Sequence, residues 1–205
     1  MIERFAILMD GGFVTKQLQL KLGYFPKVED VKNHAETLRQ HDRLKGLELL
    51  RLYFYDAPPF EGKSTNPISK KTINFSETPI ANRHRSLLDT LDLSPDVAVR
   101  RGLTIMGGWQ LGRQALADLG SHVRPITADD LEPAIKQKGV DLRIGLDMAS
   151  IALKRIVGTV VLVSGDSDLV PAMKFVRKEG IRVYLDPLGS SNVRQEMRIH
   201  ADFVF

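Results

Sequence analysis

Two uninterrupted apolar runs, each closed by an aspartate-bearing turn, constrain this chain more than any other feature. Phe5-Ala6-Ile7-Leu8-Met9 stops at Asp10-Gly11-Gly12, and Val160-Val161-Leu162-Val163 stops at Ser164-Gly165-Asp166-Ser167-Asp168. Short apolar runs without alternation are strands covered on both faces, as a parallel sheet requires. Between and after them the spacing changes. Residues 14–22 and 28–44 carry helical periodicity, 49–55 reads as a second strand ending at Asp56, and 80–93 is helical. A strand is expected over 97–106, with Arg100 and Arg101 in it. Residues 141–156 predict a largely buried helix, 169–178 a helix closed by Gly180, and 181–185 another strand. A helix around 192–200 and a short strand at 203–205 complete the chain. This alternation predicts an α/β fold: a Rossmann-like open, mainly parallel sheet with helices on both faces.

The 205 residues, 43% hydrophobic and 26% charged, show no repeat and no change of composition along the chain, so one domain over 1–205 is expected. Residues 60–78 are rich in Gly, Ser, Thr, Asn, Pro and Lys and predict a mobile loop. The absence of cysteine excludes disulfides and thiolate metal sites, and it fits the cytoplasm. No apolar run approaches the ~20 residues of a membrane span, and the N-terminus lacks a signal-peptide pattern. The net charge of +4 is a mild bias toward polyanions.

The carboxylates carry the chemistry. Ligands of open parallel sheets sit beyond the carboxyl ends of strands where chain order reverses, so Asp10 and the Asp166–Asp168 turn are expected in one crevice. Clustered carboxylates repel unless a cation neutralises them, and hard oxygen donors select Mg²⁺ or Mn²⁺. The competing explanation is local: Asp166 or Asp168 capping the following helix, Asp10 serving a turn, and Asp141 capping the helix it opens. Gly145, four residues after Asp141, is expected to leave space beside it. Asp147 lies about 240° round the helix from Asp141 at 100° per residue, which makes it an outer or salt-bridging residue.

Taken in order, Asp10-Gly11-Gly12-Phe13, Arg51-Leu52-Tyr53-Phe54-Tyr55, Lys138-Gly139-Val140-Asp141 with Asp147, Val163-Ser164-Gly165-Asp166-Ser167-Asp168-Leu169 and Ala201-Asp202-Phe203 resemble the NYN domain of the LabA-like family, within the PIN-like nucleases. The resemblance implies a PIN-type sheet and a metal-dependent ribonuclease, its catalytic and metal-binding positions matching Asp10, Asp141, Asp166 and Asp168. Ser164 joins Asp147 as an outer residue. On this reading Mg²⁺ or Mn²⁺ activates water for attack on an RNA phosphodiester, with Asp10 and Asp166 as primary ligands. Lys138, Arg143, Arg100, Arg101 and Arg113 are candidate contacts to single-stranded or structured RNA, and Trp109 and Tyr55 are candidate stacking platforms. Gly12 and Leu169 depart from residues common in the family. The expected partners are RNA and, as an open alternative, a second copy of the chain, with no membrane.

Two other readings compete. A non-catalytic RNA- or partner-binding module could retain the fold without turnover. A haloacid-dehalogenase-like phosphatase needs a second acid two residues after the first, where this chain has Gly12. The five histidines lack metal-ligand spacing, and none is assigned a catalytic role.

Overall fold

The computed structural model describes residues 3–205. The first strand, β1 (Arg4–Asp10), leads into helices α1 (Gly11–Leu22) and α2 (Val28–Arg39), and β2 (Glu48–Asp56) returns beside β1. Two short strands, β3 (Lys63–Thr65) and β4 (Thr72–Asn74), precede helix α3 (Pro79–Asp92) and strand β5 (Val97–Arg101). An antiparallel pair follows, β6 (Leu103–Leu111) and β7 (Leu131–Lys138), enclosing α4 (Arg113–Ser121). The chain then runs α5 (Val140–Leu153), β8 (Thr159–Val163), α6 (Val170–Lys178), β9 (Arg182–Asp186), α7 (Gln195–Ile199) and β10 (Phe203–Val204).

Six strands form one sheet in the order β10-β9-β8-β1-β2-β5, and every pairing in it is parallel. The strand order reverses between β1 and β8. The two-residue alternation of a strand then divides the core. Phe5, Ile7 and Met9 of β1 face α1, α2 and α3, packing with Val14, Val31 and Leu88. Ala6 and Leu8 face α5 and α6, packing with Ile144, Met148 and Met173. Burying a side chain of this size stabilises a fold by roughly 1.5–3 kcal/mol, so these two layers hold the sheet.

Several expectations are corrected. The strand expected over 97–106 is two strands in different sheets, broken at Gly102, where a Cβ would stand 2.8 Å from the Lys138 carbonyl oxygen. The loop expected at 60–78 contains β3 and β4, a 3₁₀ turn at Phe75–Glu77, and Phe60 set edge-on to Phe75 at 5.5 Å. Helix α2 stops at Arg39, short of residue 44. Helix α5 is not largely buried: Ile144, Met148 and Ile151 face the core, but Leu142, Leu146 and Leu153 are 60–65% exposed. Among the described residues, no helix is long and apolar enough to cross a membrane.

Candidate functional site

The register of β1 aligns the strand ends. Met9 pairs with Val163 on one side and Phe54 on the other, so Asp10 and Ser164 leave the sheet side by side, while Asp56 follows Tyr55, the β2 partner of Asp10, by one residue. Asp10 caps α1: its Oδ1 accepts the Phe13 N–H at 3.2 Å, and its Oδ2 accepts the Ser164 hydroxyl at 2.9 Å. Ser164 is fully buried and also accepts the Asp166 N–H at 3.1 Å. The β8 turn is thus tied through one hydroxyl to the Asp10 carboxylate. Asp166 in turn accepts the Asp168 N–H at 2.9 Å and caps the 3₁₀ turn Ser167–Leu169, so the capping role belongs to Asp166.

Charge effects link Asp141 to each of the other three sequence-picked aspartates. Burial pushes the Asp10 carboxyl up to about 6, opposed by its two hydrogen bonds and reinforced by the charges of Asp141 and Asp56. Asp141 is also raised, first by burial and then by Asp166 and Asp168. Among the described residues, none of Asp10, Asp141, Asp166 and Asp168 forms an ion pair with Lys, Arg or His. A hard-oxygen donor set without a cationic partner has the chemistry of a Mg²⁺ or Mn²⁺ site. As the side chains stand, no three His, Cys, Asp or Glu residues among those described converge at metal-holding spacing.

The other sequence-picked residues fall in different places. Asp147 is engaged elsewhere, accepting Arg100 Nε at 2.8 Å, Arg100 Nη2 at 3.0 Å and the Tyr55 hydroxyl at 3.0 Å. Arg101 pairs with Asp89 and Asp92 at the end of α3. Arg143 turns back onto the Gly139 carbonyl at 3.0 Å, Lys138 is exposed at the end of β7, and Arg113 is exposed at the start of α4. Tyr55 is fully buried, and Trp109 donates to Ser64 at 2.9 Å. The space expected beside Gly145 faces the Ala172 methyl, 3.8 Å from where a Cβ would stand.

Sequence reasoning missed Asp56. It is fully buried at the end of β2, and it accepts three side-chain or backbone donors: His84 Nε2 at 2.8 Å on Oδ2, Gln137 Nε2 at 2.7 Å and the Ala57 N–H at 2.7 Å on Oδ1. The available signal was positional, because Asp56 closes the β2 run just as Asp10 closes β1. A matching pair stands three strands away, where Asp186 at the end of β9 meets His34 of α2 at 2.5 Å.

Comparison with known proteins places this architecture. The NYN domain matches residues 73–202, more than half the chain, a span that includes Asp141, Asp166 and Asp168 and begins after Asp10. A crystal structure of a protein of unknown function from Vibrio parahaemolyticus has a similar fold, with a TM-score of 0.52 and 17% identity over 99% of this chain and 91% of that one. No curated protein matches. With its six-stranded parallel sheet between two helical layers and the match over 73–202, the chain belongs to the NYN domain family, of the PIN-like nuclease superfamily.

Proposed function

We propose that this protein is a divalent-metal-dependent ribonuclease of the LabA-like kind, hydrolysing RNA phosphodiester bonds at Asp10, Asp141, Asp166 and Asp168. One observation supports the proposal: the Asp141 charge acts on Asp10, Asp166 and Asp168 act on Asp141, and none of the four has an ion-pair partner among the described residues. Such a cluster is disfavoured until a cation completes it. Held by these carboxylates, a Mg²⁺ or Mn²⁺ ion would supply the Lewis acidity that generates a nucleophile from water at neutral pH and neutralises phosphate charge.

The remaining work falls to this chain's own side chains. Asp10 and Asp166 are the primary ligands, and Asp141 and Asp168 complete the set. Ser164, bonded to both the Asp10 carboxylate and the Asp166 backbone, fixes their relative positions. Lys138, Arg143 and Arg113 are the cations available to flanking phosphates, whereas Arg100 and Arg101 are already held by carboxylates. The substrate is RNA, single-stranded or structured, and a chain without cysteine suits the cytoplasm.

The test is cleavage of both RNA forms with Mn²⁺, Mg²⁺ or EDTA, using wild type and Asp166→Asn. Cation-dependent cutting that falls at least about a hundredfold in the variant is expected, the scale of removing a group that stabilises transition-state charge. Cutting that survives EDTA, or that Asp166→Asn leaves unchanged, overturns the proposal. The second reading, an RNA-binding module without turnover, draws on the lack of three converging ligand side chains among the described residues. RNA binding by wild type with no cleavage under any cation selects it.

A further inference from the structure

The side-chain amide of Gln137 has a fixed orientation that its exposed position would not by itself impose. Its Nε2 lies 2.7 Å from Asp56 Oδ1, a carboxylate oxygen that also receives the Ala57 N–H. An oxygen already accepting one donor takes a second N–H, so the amide must present nitrogen to Asp56 and carbonyl oxygen to the other side. Asp56 cannot swing to follow a different amide pose. It is fully buried, its Oδ2 is held by His84, and Gly11 lies so close that a Cβ there would stand 2.7 Å from the Asp56 Cβ.

On the other side of that amide is Gly12. A Cβ at Gly12 would lie 3.6 Å from Gln137 Oε1 and 3.6 Å from Asp10 Oδ1. Two acceptor oxygens therefore flank the space left by the missing side chain. Asp10 Oδ1 has only the 3.2 Å bond from Phe13, and no donor is paired with Gln137 Oε1 among the described residues. What stabilises two acceptors lining one space is a positive charge or a donor in it, and their hardness matches a divalent cation with carboxylate and amide oxygen ligands.

We infer that Gln137 is a neutral oxygen ligand of the same divalent cation that Asp10 holds, and that buried Asp56 is the positioning residue that aims it. The inference rests on the metal-dependent reading of the site and extends it to a residue outside the aspartate set. It also gives the β6–β7 pair a role, because β7 delivers Gln137 to the crevice immediately before α5 delivers Asp141.

Mn²⁺ binding to the full chain, followed by titration calorimetry with no RNA present, tests it. Gln137→Ala and Gln137→Met are expected to weaken Mn²⁺ binding at least about tenfold, the usual scale for a lost ligand or its support. Asp56→Asn is expected to weaken it similarly, and circular dichroism reports whether that buried variant folds. Gly12→Ala fills the space at ordinary contact distance and is expected to weaken binding while leaving the melting temperature close to wild type. Unchanged Mn²⁺ affinity in both Gln137 variants, with binding lost in Asp10→Asn, overturns the role of Gln137 alone. No Mn²⁺ binding by wild type, or equal binding by Asp10→Asn, overturns the metal centre itself and this inference with it.

Discussion

Four strand ends of this sheet carry or adjoin an aspartate, and they divide into two kinds. Asp56 and Asp186 are each buried against a histidine, whereas Asp10 and the Asp166–Asp168 turn meet none. The pleat accounts for the division. Asp56 shares the parity of Phe54, and Asp186 that of Tyr184, so both project toward the layer of α1, α2 and α3, which supplies His84 and His34. Asp10 shares the parity of Ala6 and Leu8 and projects toward the α5–α6 layer, which supplies Asp141 instead. Aspartates one register step apart at the strand ends thus become structural ties or part of a repulsive cluster according to the face they leave by.

The largest effect that could break this contrast is on stability. Asp56→Ala leaves His84, Gln137 and the Ala57 N–H without their acceptor, and a loss of about 3–5 kcal/mol is expected in urea unfolding. Asp166→Asn is expected to stay within about 0.5 kcal/mol of wild type without metal. Equal losses in the two variants would erase the distinction between ties and cluster.

Next in size is a pH effect confined to the cluster. The Asp10 carboxyl is raised from the usual 3.8 to about 6, so the folded protein keeps a proton there that the unfolded chain releases. Its contribution therefore leaves stability untouched below pH 4 and lowers it as pH rises from about 4 to 6, by about 3 kcal/mol in all at 1.36 kcal/mol per unit. Thermal melts without metal should show this extra decline in wild type and not in Asp10→Asn. Saturating Mn²⁺ should also remove it. A decline of the same size in Asp10→Asn would locate it elsewhere.

Smaller effects sharpen the picture at the margins. Lys138→Ala should weaken RNA binding by about the same factor for any sequence and reduce the slope of log affinity against log salt by about 1, read by fluorescence anisotropy. The Arg100–Asp147 pair, whose arginine is half-exposed, should contribute less than about 1 kcal/mol, so Arg100→Ala should leave unfolding and RNA cleavage close to wild type. A severe cleavage defect in that variant would move Arg100 into the substrate path.

The parallel core was legible because buried strands announce themselves. The runs around Phe5 and Val160 could be nothing else, and the aspartates at their ends followed from the geometry of open sheets. The break at Gly102 was not legible, since apolar residues stand on both sides of it and only the approach of the Lys138 carbonyl shows why the chain must turn. The exposed leucines of α5 misled for a related reason: periodicity reports that both faces are apolar but not that only one is covered. Asp56 escaped notice because its meaning comes from His84 and Gln137, 28 and 81 residues away along the chain.

Gly11 joins these two kinds of aspartate at a single atom. A methyl there would collide at 2.7 Å with both the Asp56 Cβ and the Phe54 ring. In a saturation library, column 11 should therefore be blank except for glycine, on steric grounds alone. The smallest side chain in the protein thereby sets how near two acidic sheet ends can stand.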